Sequence, residues 1–287
     1  MMQARSRLLG AFFVVCSAIG FGAMAIFGKV AFASGASTAT VLFIRFLVAG
    51  SLMVLLMAAL RQPWPRGRDL LILVGMGMIG YAGQAFCFFS ALHHATAGLT
   101  GLLLYLYPAL VIVFSALLGR RRLTLAKSLL ALLSLFGILL TVSDGLAGTP
   151  LGIAFGVGAA VVYTVYILVG EGVSGRTGAN GAGCVIMLGA AVVFGLAMLL
   201  EGPRPPQSLD GWLAIGAIAV FCTLMPIVFF FAGMRHLGAG DASTLSTLEP
   251  VVTLLLAYLF LGETLGPLQA LGAALVIVAV VVLTKMR

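Results

Sequence analysis

Charge is what this sequence lacks. Only 8% of its 287 residues are charged, where an ordinary soluble domain carries about a quarter. By contrast 62% are hydrophobic and the mean hydropathy is +1.21, which excludes a soluble globular domain. Cysteine is scarce as well. Cys16, Cys87, Cys184 and Cys222 lie inside apolar runs and form no CxxC, so they read as reduced packing residues. His93, His94 and His236 lack any HExxH or Cys/His ligand spacing, and no metal or other cofactor is expected. The phosphate-binding pattern GxxxxGK[ST] is absent, and no polar stretch is long enough for a catalytic or ATP-binding domain. Apolar/polar alternation over about ten residues, which would mark an outer-membrane barrel, is missing too.

What is present is a series of long apolar runs. A spanning helix needs about 20 mainly apolar residues, and charged or Gly/Pro-rich breaks divide the chain into ten such runs. They lie near 8–32, 38–60, 70–91, 97–118, 124–142, 150–170, 181–200, 211–233, 240–261 and 267–285. Helices satisfy their backbone within lipid, so the expected class is an all-α integral membrane protein. Arg5 and Arg7 ahead of the first run, with Ala31-Phe32-Ala33 after it, imitate a cleavable signal. The run exceeds the usual h-region of about 7–15 residues, so it reads as a retained first helix.

The net charge of +8 is not spread like a nucleic-acid footprint. With ten spans, Arg5, Arg7, Arg61, Arg66, Arg68, Arg120, Arg121, Arg122, Lys127, Arg176, Arg235, Lys285 and Arg287 share one side of the membrane. Lys29 and Arg204 fall on the other, and Arg45 lies within a span. The positive-inside rule then makes both termini cytoplasmic.

A repeat runs through the chain at a single ungapped offset of 142 residues. Phe88-Phe89-Ser90-Ala91 through Gly98 aligns with Phe230-Phe231-Ala232-Gly233 through Gly240, and Leu103, Leu106 and Pro108 fall on Leu245, Leu248 and Pro250. Leu9-Gly10 falls on Leu151-Gly152. Each copy holds five spans, an odd number, so the second enters the membrane from the opposite face. Ten helices as two inverted five-helix repeats, 1–145 and 146–287, are a signature of secondary transporters with a substrate site near the midplane.

The runs Phe230-Phe231-Ala232-Gly233-Met234-Arg235, Leu248-Glu249-Pro250-Val251, Leu261-Gly262-Glu263 and Gln269-Ala270-Leu271-Gly272 resemble the second half of an EamA-type carrier of the drug/metabolite transporter superfamily. The first half is similar more loosely, with Tyr107-Pro108 where the second has Glu249-Pro250, and Arg121 where it has Glu263. The resemblance implies a ten-helix carrier with a central cavity built from spans 1, 3, 4, 6, 8 and 9. Within the superfamily the chain looks most like the YddG-type exporters of amino acids, aromatic ones included.

Polar residues at membrane depth are the candidate site, because each needs a partner or a cavity. Tyr81 and Gln84 share one helical face, and Tyr163 and Tyr166 share another. Tyr105 and Tyr107 lie at mid-depth in span 4, Thr223 in span 8, and Thr247 and Glu249 in span 9. The offset pairs Tyr81 with Thr223, Tyr105 with Thr247 and Tyr107 with Glu249, which should face each other across the pseudo-twofold axis. Tyrosine offers a flat face and a hydrogen-bonding tip, which suits a ligand with an apolar or aromatic body. Tyr258 fits an interfacial belt instead. Glu249 admits two readings: a carboxylate that meets a substrate ammonium or takes up a proton, or a local repair of the backbone interrupted by Pro250. Arg45 needs an acceptor, and backbone carbonyls or an outer vestibule are the expected ones, with substrate gating as the sharper alternative. Pro108, Pro226 and Pro250 interrupt their spans and read as bending points.

The sequence therefore predicts a non-enzymatic secondary carrier in the inner membrane of a bacterial-type cell, exporting small organic solutes, amino acids foremost, by alternating access. Its partners are a small-molecule substrate and the lipid bilayer, with no nucleic acid and no nucleotide, and the chain is read as a monomer. Cationic drugs or other metabolites are the alternative cargo. A lipid-modifying membrane enzyme is the weaker rival, since Glu249 is the only acid at mid-depth and no His/Ser/Asp set accompanies it.

Overall fold

The computed structural model describes residues 2–119, 124–142 and 148–285. Arg120, Arg121, Arg122 and Arg287, counted in the charge asymmetry, and the expected repeat boundary at 145/146 lie outside the described residues.

Among the described residues the chain is helical, with one isolated bridge between Ala95 and Gly148 and no strand. Nine apolar helices among the described residues are long enough to cross a membrane: α1 Met2–Ala33, α2 Thr38–Ala59, α3 Gly67–His94, α4 Ala97–Leu117, α5 Leu125–Val142, α6 Pro150–Gly170, α7 Ala179–Glu201, α8 Leu209–Leu237 and α9 Asp241–Leu261. A further helix, α10 Pro267–Lys285, is apolar over the slightly shorter stretch Pro267–Leu283. Their outer faces expose large apolar side chains such as Leu55, Leu71, Leu139, Leu200 and Phe260, a surface that lipid covers and water does not. Tyr258 is exposed on this surface.

Local chemistry sets the helix starts. The helices α2, α4, α6 and α8 each begin after a hydroxyl residue, Ser37, Thr96, Thr149 and Ser208, whose oxygen accepts an N–H of the first turn. All four starts lie at the end of the bundle away from the N-terminus. The opposite end carries the Arg7–Asp241 ion pair, at 2.7 Å, and the Ser6–His236 hydrogen bond.

The 142-residue offset is visible in the packing. Gly10 of α1 lies against His236 of α8, and Gly152 of α6 lies against His94 of α3, both members shifted by the same amount. Helix α2 pairs with α7 and α5 with α10, so the two halves interlock rather than stand apart. The offset also relates two departures from α-helical geometry. A π-helical turn widens α3 at Met76–Tyr81 and another widens α8 at Val220–Leu224. Helix α4 breaks at Tyr105 and Leu106, and α9 breaks at Thr247.

Candidate functional site

The breaks follow from proline. Pro108 and Pro250 have no N–H, and in a continuous helix their rings would meet the carbonyl four residues back. Each sits instead in the first turn of a new helical segment, where a missing N–H is harmless. Pro226 behaves differently from the sequence expectation. Helix α8 continues through it, because the π-turn just before it widens the ladder and absorbs the missing donor.

A break frees carbonyls that must find donors at membrane depth. Pro250 deprives the Ser246 carbonyl of its intrahelical donor, and the Tyr105 hydroxyl of α4 supplies one across the cavity at 3.2 Å. Tyr105 thus performs the repair that the sequence left open to Glu249. The Glu249 carboxyl, also within hydrogen-bonding reach of Tyr105, faces the cavity. Gly22 lets α1 and α9 meet here, since a Cβ on it would lie 2.9 Å from the Glu249 carbonyl oxygen.

The cavity has two lobes that share Phe21, Tyr81, Tyr105, Tyr107, Tyr163 and Glu249. The narrow lobe, about 100 Å³, ends against Met24, Gln84, Phe88 and Arg45. Behind that end Leu42, Phe46 and Phe89 are fully buried. The wide lobe, about 310 Å³, runs past Tyr166 to Ala179 at the start of α7 and to Phe230 and Phe231 on α8, toward the end of the bundle that holds the N-terminus. Five of the six tyrosines form one wall. Their rings follow in contact from Tyr105 to Tyr107 (5.9 Å between centroids), Tyr163 (4.8 Å), Tyr166 (5.7 Å) and Tyr81 (5.7 Å).

Arg45 is the polar residue the sequence placed least well. Its expected partners were backbone carbonyls or an outer vestibule. In the fold its relative exposure is 3%, its Nε donates to Thr223 Oγ1 at 2.9 Å, and Nη2 donates to the Tyr81 hydroxyl at 3.4 Å. The guanidinium lies over the rings of Phe46 and Phe89. Among the described residues no carboxylate pairs with it.

Of the residues singled out from sequence, Tyr81, Gln84, Tyr105, Tyr163, Glu249 and Arg45 line the cavity. Thr223 and Thr247 do not. Thr223 is spent holding Arg45 and the Ile218 carbonyl just before the π-turn, and Thr247 turns back to the Thr244 carbonyl. The pair Tyr81 and Thr223 meets through Arg45 rather than face to face. Sequence reasoning missed the α7 wall, where Ala179, Ala182, Gly183, Ile186 and Met187 recur at helical spacing. Its only signal was the small residues that let α7 approach.

Sequence reasoning also assigned Lys29 no role. Its Nζ donates to the Ala95 carbonyl at 2.7 Å, at the end of the bundle away from the termini. Beside it, Glu263 accepts the backbone N–H of Ala97 at 2.7 Å and of Gly98 at 2.9 Å, while Thr96 accepts that of Leu99. A carboxylate from the α9–α10 connection therefore caps α4 and ties the two halves together where the cavity is closed.

Comparison with known proteins adds three kinds of likeness. Residues 8–143 and 150–285 each match the EamA-like transporter family. The chain is 27% identical over 285 residues to the transporter YcbK of Bacillus subtilis, covering 94% of this chain and 91% of that one. It is 27% identical to the inner membrane transporter YedA of Escherichia coli, covering 84% and 79%, and 26% identical to the threonine/homoserine exporter RhtA of the same species, covering 70% and 67%. A solved crystal structure superposes with a TM-score of 0.66 at 24% identity, covering 99% of this chain and 98% of the other, a likeness of fold.

Proposed function

The chain belongs to the EamA-like transporter family of the drug/metabolite transporter superfamily, a multi-pass membrane protein, and from that premise we propose that it is a secondary carrier exporting amino acids, aromatic ones included. It works in the inner membrane of a bacterial-type cell with both termini in the cytoplasm, by alternating access rather than by chemistry on its cargo. The observation that carries this reading is the tyrosine-walled cavity at the paired breaks of α4 and α9. Discontinuous helices at corresponding positions of two repeats mark the binding site in inverted-repeat carriers, where the broken backbone lines a cavity. A wide lobe of about 310 Å³ falls at the small end of ligand pockets, roughly 300–1,000 Å³, which fits a single amino acid rather than a nucleotide sugar. RhtA, by its name an exporter of threonine and homoserine, places amino acids among the cargoes of a relative.

A lipophilic cation is the second reading, favoured by Glu249 beside tyrosine faces. Efflux from proteoliposomes of labelled aromatic, small neutral, basic and acidic amino acids, with and without a proton gradient, tests the first reading. Saturable flux of the neutral and aromatic members is expected. Flux of quaternary ammonium compounds with none of any amino acid would overturn it in favour of the second.

A further inference from the structure

Resting on the amino-acid reading, we propose that Arg45 and Glu249 are the two poles of a site for the zwitterionic backbone of an α-amino acid. The α-carboxylate meets the guanidinium, the α-ammonium meets Glu249, and the side chain lies in the wide lobe. Both residues line the narrow lobe, yet among the described residues the ion pairs are Arg7–Asp241 and Arg176–Asp69, not one between these two. Arg45 carries five N–H donors and is almost wholly buried, with two neutral hydroxyls as its hydrogen-bond partners among the described residues. A cation at this depth is stabilised further by an acceptor of opposite charge, and a planar guanidinium matches a carboxylate best.

The opposite pole follows from the repair made by Tyr105. Because that hydroxyl serves the Ser246 carbonyl, Glu249 is not needed to mend the break at Pro250, and its carboxyl faces both lobes. Tyr105 and Tyr107 stand beside it, so an ammonium there gains a carboxylate and aromatic faces together. From this anchor the wide lobe leads along Tyr163 and Tyr166, whose rings stack at 13°. The arrangement also rejects. A simple cation leaves Arg45 without a counter-charge and a simple anion leaves Glu249 without one, so selection rests on carrying both charges.

The test is counterflow of labelled L-phenylalanine in proteoliposomes, with phenethylamine, which lacks the carboxylate, and 3-phenylpropionate, which lacks the ammonium, as competitors. Each analogue is expected to compete about 10- to 100-fold more weakly than L-phenylalanine, the range of one hydrogen-bonded charge. R45Q should erase the disadvantage of phenethylamine alone and E249Q that of 3-phenylpropionate alone, while R45K restores part of the first. Equal competition by all three compounds in the unaltered protein would overturn the two-pole site while leaving amino-acid transport standing. A variant that lost both discriminations together would overturn it as well. Absence of any amino-acid counterflow would overturn the amino-acid reading and this inference with it. Where a variant fails to fold, the competition series on the unaltered protein still decides.

Discussion

Replacing Glu263 with alanine should open the cavity toward the side away from the termini. The carboxylate accepts two N–H groups of α4, at 2.7 and 2.9 Å, from the other half of the molecule. A hydrogen bond to a charged group is worth about 1.5–3 kcal/mol. Glu263 is half-buried, so the lower figure applies to each, and the pair contributes about 3 kcal/mol to the closed arrangement. Only a difference between two states shifts their balance. If the contact is wholly lost on opening, Glu263→Ala enriches the open state up to about a hundredfold, at 1.4 kcal/mol per factor of ten. Glu263→Gln keeps one neutral acceptor and should give a smaller shift. The assay is labelling by a membrane-impermeant thiol reagent, applied from the side away from the termini, of Met24→Cys at the narrow end of the cavity. The background has Cys16, Cys87, Cys184 and Cys222 replaced by serine or alanine. An unchanged labelling rate in a Glu263→Ala protein of normal thermal stability would refute the idea that this cap holds the cavity shut.

Other expectations follow from single contacts. Tyr163→Leu keeps an apolar side chain but removes a flat face worth roughly 1 kcal/mol to an aromatic ligand, so KM for L-phenylalanine should rise several-fold while KM for a small neutral amino acid barely changes; equal rises would refute the stacking role. A Cβ on Gly137 would lie 2.7 Å from the Gly272 carbonyl oxygen, so Gly137→Val should destabilise the α5–α10 pair by about 1–3 kcal/mol. This would appear as a lower unfolding temperature in detergent with KM unaltered, because neither helix lines the cavity. Exchanging Pro108, Pro226 and Pro250 together for alanine should slow turnover by letting α4 and α9 close their breaks, and unchanged transport rates would remove the prolines from the cycle.

Hydropathy and helical period are local properties, and they sufficed to locate the apolar helices to within a few residues and to read the 142-residue offset. They also marked Tyr81, Gln84, Tyr105, Tyr163 and Glu249 as polar groups needing company at depth, since lipid offers them none. The company itself was invisible. Arg45 meets Thr223 across 178 residues of chain and Tyr105 meets Ser246 across 141, and no pattern within one helix encodes how two helices cross. The π-turns of α3 and α8 were hidden for a related reason, because one extra residue in a turn leaves the apolar run unchanged while rotating everything after it. That rotation and the crossing of α7 decided which polar side chains line the cavity. Composition placed this chain in lipid; only the packing of its halves turned Thr223 and Thr247 away from the cavity and left Glu249 and Arg45 facing it.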